Sequence, residues 1–328
     1  MKVLILGGTT FFGKEIVRHF TEQGCEVATF TRGNVSPTDI HPKWRLNGQR
    51  QSLDDLNKAA SFADWDVLID NLAYSGSDVS LALKAFPLVK QYLLTSTVSV
   101  YKYSTKSFSM PLKEADVDHQ GRPANENLDD IHWSYAKGKL DAERALIEQD
   151  SVPWTIFRPS VVYGPWDPKN RTFWYLARAL RGQPILLPHS GNNSFRLTYS
   201  RDLATAYYAA VQAGGQKQIF NIAQEEIITL KELLRSSCEA MGNELQTIPV
   251  PRESLSEAQA GPHGDLVNVI PDISSAKKEL NWTPTPAEVF IPATAKWFKE
   301  HTELHSQFPM VEQENETIHR WKELHSQR

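Results

Sequence analysis

Near its N-terminus the chain reads Lys2-Val-Leu-Ile-Leu-Gly-Gly-Thr-Thr-Phe-Phe-Gly13, a short apolar run followed by a turn rich in glycine. The run Lys2–Leu6 is too short for a helix, and its continuous apolar character is typical of a parallel strand buried on both faces. From Phe12 to Gln23 apolar residues recur at helical spacing, and Gly24 marks the end. The sequence therefore predicts a strand, a glycine turn and a helix in direct succession.

The same alternation of strands and helices continues through the first half of the chain. Strands that alternate with helices form βαβ units, in which helices cover a parallel sheet on both faces. We therefore predict an α/β fold with a Rossmann-type, doubly wound parallel sheet. Further predicted strands are Cys25–Thr31, Asp66–Asp70, Gln91–Thr95 and Pro153–Arg158, and further predicted helices are Leu53–Ala60, Asp78–Phe86 and Tyr135–Glu148.

Composition excludes several classes of protein. Of the 328 residues, 41% are hydrophobic and 23% are charged, which are ordinary values for a globular protein. A formal net charge of −4 offers nucleic acid no basic surface, and no apolar run approaches the roughly 18 residues of a transmembrane helix. The two cysteines, Cys25 and Cys238, lack metal-ligand spacing. We therefore expect a cytoplasmic protein without a metal or a membrane partner, and with nucleic acid disfavoured.

A glycine turn between a strand and a helix can bind a pyrophosphate, because unpaired amides and the helix dipole at the helix N-terminus attract anions. Gly7 allows the tight turn, and Gly13 lets the helix pack closely on the strand. Thr10 stands where this pattern usually has its middle glycine, and a turn without a ligand is the alternative. The predicted dinucleotide contacts here are Gly7, Thr9, Thr10, Phe11, Phe12 and Gly13.

The end of the second predicted strand bears on the choice of dinucleotide. NAD-binding folds usually have a carboxylate there for the ribose 2′-hydroxyl, whereas this chain has Thr31 followed by Arg32. A guanidinium suits a 2′-phosphate because of its planar donors and permanent charge. We therefore predict NADP as the cofactor. The alternative is NAD, with Arg32 as an ordinary surface charge.

A second candidate site lies in Tyr135-Ala-Lys-Gly-Lys139. On a helix Tyr135 and Lys139 stand one turn apart on the same face, and a nearby ammonium lowers the pKa of a phenol. Such a tyrosine can exchange a proton with a substrate hydroxyl or carbonyl while a hydride moves. The stretch Thr95-Ser-Thr-Val-Ser-Val-Tyr101 begins at a strand end, where doubly wound sheets bind ligands. A turn that satisfies only its own backbone is the alternative there.

In their order along the chain these segments resemble the extended short-chain dehydrogenase/reductases, the NAD(P)-dependent sugar epimerase/dehydratase family. The turn Gly-Gly-Thr-x-Phe-x-Gly is most similar to that of a bacterial subgroup, which is itself similar to chloroplast stem-loop-binding proteins. The segments that carry the resemblance are Gly7–Gly13, Asp70–Ala73, Ser96–Tyr101, Tyr135–Lys139, Arg158–Pro165, Arg201–Ala204 and Phe220–Ile222.

The resemblance implies a role for each matching position. Thr97 would hydrogen-bond the reacting oxygen, Tyr135 would be the general acid/base, and Lys139 would lower its pKa and hold the nicotinamide ribose. One departure is Gly48-Gln-Arg50, where related sequences often have Gly-Asp-Arg. Further cofactor contacts on this basis are Leu72, Ala73, Pro159 and Val161, and the candidate substrate contacts are Ser99, Tyr101 and Arg196.

Proline and glycine cluster in the second half, which indicates loop-rich structure with short helices. In the family this half closes over the substrate, so we expect a smaller C-terminal substrate-binding domain, and the resemblance also implies a homodimer. The expected division is 1–160 for the dinucleotide-binding domain, to which 200–222 returns, 161–199 with 223–305 for the substrate domain, and 306–328 for a helical tail.

Together these observations predict an NAD(P)-dependent epimerase or reductase of the extended type, acting on a nucleotide sugar or a similar small hydroxyl or carbonyl compound. Val98 after Thr97 disfavours the dehydratases, which usually have an acidic residue there. One alternative is a cofactor-binding, RNA-binding or regulatory protein without turnover. Another is a reductase of a small non-sugar ketone, because the fold alone does not specify the substrate.

Overall fold

The computed structural model describes residues 1–104, 110–215, 217–256, 259, 261–263, 270–308 and 312–325. The chain forms two compact units. Unit 1 consists of Met1–Val162, Leu197–Ala223 and Pro271–Pro284, and unit 2 consists of Tyr163–Arg196, Gln224–Ile270 and Thr285–Arg328. The chain therefore returns to unit 1 twice after leaving it.

The strands of the described residues are, in chain order, β1 (Lys2–Leu6), β2 (Glu26–Thr31), β3 (Trp44–Asn47), β4 (Val67–Asp70), β5 (Gln91–Thr95), β6 (Trp154–Pro159), β7 (Val161–Tyr163), β8 (Ile185–Pro188), β9 (Ser194–Phe195), β10 (Leu197–Tyr199), β11 (Gln218–Ile222), β12 (Ile228–Thr229) and β13 (Thr247–Val250). The α-helices are α1 (Phe11–Glu22), α2 (Leu53–Ala60), α3 (Gly76–Ala85), α4 (Ile131–Ile147), α5 (Phe173–Leu180), α6 (Ser200–Ala213), α7 (Leu230–Met241), α8 (Ser274–Glu279), α9 (Ala287–Glu300) and α10 (Glu312–His325). None of these helices is both long and apolar enough to cross a membrane.

Unit 1 is built on a parallel sheet of seven strands in the order β3-β2-β1-β4-β5-β6-β11. Strand β1 lies in the middle of the sheet, β2 and β3 follow on one side, and β4, β5, β6 and β11 follow on the other. This is the doubly wound arrangement. Strand β1 pairs with both of its neighbours in register, so that Leu6 lies opposite Phe30 of β2 and Asp70 of β4. The predicted fold class is confirmed.

Helices cover both faces of this sheet, because successive side chains of a strand point to opposite faces. Ile5 of β1 lies in a core cluster with Phe20 of α1 and Tyr207 of α6. The adjacent Leu4 lies in the other cluster, which includes Leu146 of α4 and buried residues of α2 and α3. The sheet therefore lies between two layers of helices.

Helix α3 spans Gly76–Ala85 rather than the predicted Asp78–Phe86, and three other segments differ more from the predictions. Helix α4 begins at Ile131 rather than Tyr135, because the Asp130 carboxylate accepts hydrogen bonds from the His132 and Trp133 amides and caps the helix earlier. The edge strand β3 is absent from the predictions, since it has only four residues and no apolar run. The segment Pro271–Pro284 belongs to unit 1 and not to the expected substrate domain, because apolar side chains of this segment are buried in the unit 1 core.

Unit 2 has two small sheets, in which β8 pairs with β13 in parallel and β9 pairs with β12 in antiparallel fashion. Phe173 of α5 stacks on Phe298 of α9 with ring centroids 4.6 Å apart. The C-terminal helix α10 is fixed through Glu314, whose carboxylate accepts from Arg178 Nε at 2.6 Å, and both side chains are buried. Aromatic packing and this buried ion pair hold the unit together.

Candidate active site

A cavity of about 340 Å³ lies in unit 1 at the carboxyl ends of β1 to β4. Parallel strands end at the same edge of a sheet, so the loops that follow them meet there. The cavity is lined by Gly7–Thr10, Phe30–Arg32, Asn34, Val35, Gly48–Gln51, Leu72 and Tyr74. Among these residues the structure brings together the predicted cofactor contacts Gly7, Thr9, Thr10, Thr31, Arg32 and Leu72.

The glycine turn forms one wall of this cavity. Gly7 and Gly8 have φ values of +105° and +95°, which residues with a Cβ rarely adopt. The Gly7 amide donates to the Phe30 carbonyl oxygen at 2.9 Å and fixes the turn against β2. A Cβ on Gly13 would lie 2.9 Å from the Gly8 Cα, so Gly13 permits the close approach of α1. Gly8 is missing from the predicted contacts, although a second glycine directly after the strand is a usable signal.

The N-terminus of α1 is suited to an anion. Thr10 is the N-cap residue, but in this fully described turn its side chain accepts no capping hydrogen bond and no acidic residue is present. The first amides of a helix that lacks such a cap are available to a phosphate, and the helix dipole favours a negative charge there. The glycine turn, the uncapped helix and the cavity therefore fit the pyrophosphate and adenosine portions of a dinucleotide.

Phe11 and Phe12 contribute to this site in a different way from the prediction. Neither side chain lines the cavity. Phe11 is buried in the core, and Phe12 packs against it with ring centroids 5.7 Å apart. Both rings therefore anchor α1 on the sheet, and only their backbone amides could take part in binding a ligand.

Arg50 and Asp70 form a buried ion pair beside the cavity, with Arg50 Nη2 2.5 Å from Asp70 Oδ2. The Tyr92 hydroxyl donates to the same carboxylate at 2.7 Å. Asp70 Oδ1 also accepts from the Leu72 amide at 2.9 Å, so the pair holds the segment that follows β4. Burial opposes the charge on Arg50, but the Asp70 carboxylate outweighs it and raises the pKa of Arg50. The arginine of Gly48-Gln-Arg50 thus supports the cavity wall.

Lys139 of α4 is buried, with 2% of its surface exposed. Its Nζ donates to the carbonyl oxygens of Ala73 at 2.7 Å and Thr95 at 2.8 Å, which ties α4 to the ends of β4 and β5. Burial lowers the pKa of Lys139 to about 8, although nearby carboxylates, among them Asp70, favour its charged form. Ala73, a predicted cofactor contact, is itself buried and serves as an acceptor for this ammonium.

Tyr135 stands one turn before Lys139 on α4 and is 39% exposed. Its ring lies beside that of Tyr74, with centroids 6.3 Å apart. The Lys139 Nζ lies 4.4 Å from the centroid of the same Tyr74 ring. An accessible phenol and a buried ammonium are therefore grouped around one aromatic residue at the wall of the cavity.

Thr97 and Ser99 follow β5 at the same edge of the sheet. Thr97 is the N-cap of a short 3₁₀ segment, Val98–Tyr103, and its Oγ1 accepts from the Ser99 amide at 3.2 Å. Both residues are half-buried. The local turn fixes the direction of the Thr97 side chain.

A buried network connects this segment to α4. Glu143, one turn after Lys139, accepts from the Ser96 hydroxyl at 2.5 Å and from Arg158 Nη2 at 2.6 Å. His119 Nε2 lies 2.8 Å from the same carboxylate. Burial opposes the ionisation of Glu143, but the Arg158 guanidinium outweighs it and holds the pKa of Glu143 at about 2. The sequence predictions do not include this network, for which the spacing Tyr-x₃-Lys-x₃-Glu is the available signal.

The remaining predicted substrate and cofactor contacts are Tyr101, Arg196, Pro159 and Val161. Tyr101 is 2% exposed, and its hydroxyl donates to Asn221 Oδ1 at 2.8 Å, which argues against the predicted substrate contact. Burial raises the pKa of Tyr101 to about 12. Arg196 lies in unit 2, where its Nη2 donates to the Glu225 carbonyl oxygen at 2.8 Å. Pro159 is buried at the end of β6, and Val161 is half-buried at the start of β7, so their cofactor contacts stay predictions.

Among the described side chains, no group of three or more histidine, cysteine, aspartate or glutamate residues could hold a metal ion. Both described cysteines are free thiols, with Cys238 buried and Cys25 partly exposed.

Comparison with known proteins identifies the family. Residues 3–223 match the model of the NAD dependent epimerase/dehydratase family. The chloroplast stem-loop binding protein of 41 kDa b from Arabidopsis thaliana is 30% identical over an alignment of 302 residues that covers 86% of this chain and 75% of that protein. The match to the family model includes the glycine turn, the Thr97 segment and the pair Tyr135 and Lys139.

Solved structures agree in fold. The UDP-glucose 4-epimerase from Thermotoga maritima with UDP-glucose has a TM-score of 0.74 at 20% identity and covers 92% of this chain and 100% of that one. The UDP-glucose 4-epimerase from Thermus thermophilus in complex with NAD has a TM-score of 0.71 at 19% identity, with the same coverage. On the match to the family model, the chain belongs to the NAD-dependent epimerase/dehydratase family.

Proposed function

We propose that this chain is an NAD(P)-dependent epimerase or reductase acting on a hydroxyl or carbonyl group of a nucleotide sugar or a similar small compound. The observation that carries the proposal is the shared edge of the unit 1 sheet. A cavity suited to the pyrophosphate and adenosine portions of a dinucleotide opens there, and Thr97, Tyr135 and Lys139 come after the neighbouring strand β5 in the chain. Membership of the family supports the same reaction class.

In this proposal the chain supplies binding, orientation and proton transfer. The turn Gly7–Thr10 and the first amides of α1 hold the pyrophosphate, and the bound nicotinamide would accept and return a hydride. Tyr135 exchanges a proton with the reacting oxygen of the substrate, and Thr97 Oγ1 donates a hydrogen bond to that oxygen. Lys139 favours the phenolate as long as it is charged, which is the case below about pH 8.

The role of Tyr135 is tested by Tyr135→Phe. We expect its turnover of UDP-glucose or related UDP-sugars to fall about 100-fold or more, because general acid/base catalysis contributes about that much. NADPH binding, measured by fluorescence titration, should stay unchanged, since the ring is kept. Tyr208→Phe, a half-buried tyrosine on α6, is the matched control. A Tyr135→Phe variant with wild-type turnover would remove the proposed acid/base.

We further propose that NADP is preferred over NAD. Arg32 is exposed at the cavity, and no aspartate or glutamate is found among the described residues that line it. The Thr31 hydroxyl accepts a hydrogen bond from the Gly33 amide at 3.2 Å. The position at which NAD-binding folds usually have a carboxylate is therefore part of a local turn. A 2′-phosphate would therefore meet a cation and no repelling charge.

Arg32→Ala tests this preference. We expect the Kd for NADPH to rise about tenfold, which corresponds to about 1.4 kcal/mol, while the Kd for NADH stays the same. Arg45→Ala is a suitable control, because Arg45 is on the neighbouring strand β3 but does not line the cavity. An equal loss for both dinucleotides would contradict the assignment of Arg32 to the 2′-phosphate.

A second candidate function is RNA binding, which the 30% identity to a chloroplast stem-loop binding protein favours. The net charge of −4 opposes it, because nonspecific affinity for RNA comes mainly from cations that neutralise phosphates. Binding of a stem-loop RNA should be compared at low and physiological salt. Affinity that falls steeply with salt would support this function, and affinity close to zero at both would exclude it.

A further inference from the structure

Tyr74 has no role in the function proposed so far. It lies between Ala73, an acceptor of the Lys139 ammonium, and the start of α3. The residue is 53% exposed, lines the dinucleotide cavity, and has its ring over the Lys139 Nζ at 4.4 Å. An exposed aromatic ring is therefore in contact with a buried ammonium group.

The backbone of Tyr74 is fixed on both sides. Its amide donates to Asp78 Oδ2 at 2.9 Å, and the same carboxylate accepts from the Ser75 hydroxyl at 2.9 Å. Its carbonyl oxygen packs against Gly138 of α4, where a Cβ would overlap with it. The close approach of the two segments at Gly138 brings the Tyr74 ring onto the adjacent Lys139.

The ring completes the surroundings of the ammonium. Two hydrogens of Lys139 Nζ are donated to the Ala73 and Thr95 carbonyl oxygens, and the face of the Tyr74 ring lies over the ammonium. An aromatic face attracts a cation through its negative quadrupole and also excludes water. Lys139 is thereby kept at 2% exposure although its neighbour Tyr135 is accessible.

We propose that Tyr74 is a positioning residue for Lys139, whose ring shields the ammonium from solvent and holds it on the two carbonyl oxygens. The importance of this shield for catalysis rests on the proposed function. The existence of the shield is independent of that function, because the shield is a contact within the protein. Since Tyr74 also lines the cavity, a bound dinucleotide would lie against the same ring.

Competitive labelling with a trace of acetic anhydride tests the shield without any substrate. The rate of acetylation of Lys139, measured by mass spectrometry, is compared with the rates of the exposed Lys58 and Lys90 in the same sample. In wild type and Tyr74→Phe, which both keep the ring, we expect Lys139 to be labelled slowly. In Tyr74→Ala we expect the limiting rate of labelling at high pH, where the Lys139 amine is uncharged in every variant, to be faster by about fivefold or more, the factor that corresponds to a contact of about 1 kcal/mol.

The pH dependence of labelling gives a second readout. Charged groups that act on Lys139 are Asp70, Asp78 and Glu143, which favour its charge, and Arg50, which opposes it. Because burial is the largest influence on the pKa of Lys139, opening the site to water in Tyr74→Ala should move the midpoint of its labelling curve from near pH 8 to higher pH. Wild type and Tyr74→Phe should share one midpoint.

Each outcome decides the proposal. Slow labelling in Tyr74→Ala, or fast labelling in Tyr74→Phe, would overturn it, since the first means that the ring shields nothing and the second that the hydroxyl matters instead. Tyr74→Leu keeps bulk without an aromatic face and replaces Tyr74→Ala if that variant does not fold, with faster labelling again expected. A titration of each variant with NADPH separates the test of the shield from the test of the proposed function. If wild type does not bind NADPH, the proposed function is refuted, whereas the labelling result for the shield is unaffected.

Discussion

At the scale of single residues, the proposed chemistry depends on an ammonium group that has little contact with water. The Lys139 Nζ is bound by the Ala73 and Thr95 carbonyl oxygens and covered by the ring of Tyr74. Burial lowers its pKa to about 8, whereas an ordinary lysine stays charged to well above pH 9. The site therefore contains a cation that can lose its charge near physiological pH.

Lys139 makes the stability of the protein depend on pH, and Lys139→Met measures this dependence. Between about pH 8 and 10.5 the unfolded chain keeps the proton that the folded chain has lost, so stability rises with pH across this range. One pKa unit corresponds to about 1.4 kcal/mol. We expect the free energy of unfolding of wild type, relative to Lys139→Met, to increase by about 2 kcal/mol from pH 7.5 to pH 10.

Urea unfolding of both proteins at a series of pH values provides this comparison. Lys90→Met is the matched control, because Lys90 is an exposed lysine and its removal should leave no comparable trend across the same range. A difference between wild type and Lys139→Met that is constant with pH would show that Lys139 is not desolvated in the folded protein.

The candidate residues could be predicted from the sequence only where the signal is local. The spacing of Tyr135 and Lys139 puts them on one face of a helix, whatever surrounds that helix. The partner of Tyr101 could not be predicted, because Asn221 lies 120 residues further along the chain. The same holds for Tyr74, whose contact with Lys139 depends on how closely α3 and α4 pack.

At the scale of elements, the boundaries that agree with the sequence are those where a cap or an apolar run directly adjoins the predicted pattern. Helix α2 spans the predicted Leu53–Ala60, and its start is fixed by Ser52, whose hydroxyl accepts from the Asp55 amide at 3.2 Å. Strand β5 also spans the predicted Gln91–Thr95, as expected of a short apolar run. Helix α4 extends beyond its prediction, because the cap at Asp130 stands ahead of any apolar periodicity.

Helix α4 approaches the segment after β4 at Gly138, and Gly138→Ala tests this packing. The added Cβ would overlap the Tyr74 carbonyl oxygen, which belongs to the backbone and cannot turn away. We expect the free energy of unfolding to fall by about 3 kcal/mol, the upper part of the range for overpacking. Chemical denaturation of the purified variants gives the values.

Gly24→Ala is the control for Gly138→Ala. Gly24 has a φ of +75° and no atom within 4 Å of an added Cβ, so alanine there causes backbone strain without a collision. Its expected cost is about 1 kcal/mol. Similar, small losses in the two variants would mean that α4 does not pack as closely on this segment as described.

At the scale of the whole molecule, the chain divides its residues between two units and returns to the first one twice. The first return could be predicted, because Asp202–Ile222 has the helix-then-strand pattern of the earlier βαβ units, and β11 indeed pairs with β6. The second return, Pro271–Pro284, adds the short helix α8 but no strand to the sheet. It is held by buried apolar side chains, for which the sequence has no periodic signal.

The attachment of the C-terminal helix to unit 2 is tested by Glu314→Gln. Glu314 and Arg178 form a buried pair, so removal of the carboxylate leaves a guanidinium charge without compensation. We expect the free energy of unfolding of unit 2 to fall by about 3 kcal/mol. Glu316→Gln changes an exposed carboxylate on the same helix and should have no measurable effect. Equal behaviour of the two variants would contradict the buried ion pair.

The dinucleotide site at the glycine turn is tested by the binding of NADPH to the purified protein, measured by isothermal titration calorimetry in wild type and Gly13→Ala. We expect saturable binding to wild type with one NADPH per chain. We expect binding about tenfold or more weaker in Gly13→Ala, where a Cβ would press on the Gly8 Cα and displace the turn from α1. The absence of saturable binding to wild type, or equal binding to both proteins, would contradict a dinucleotide site at the glycine turn.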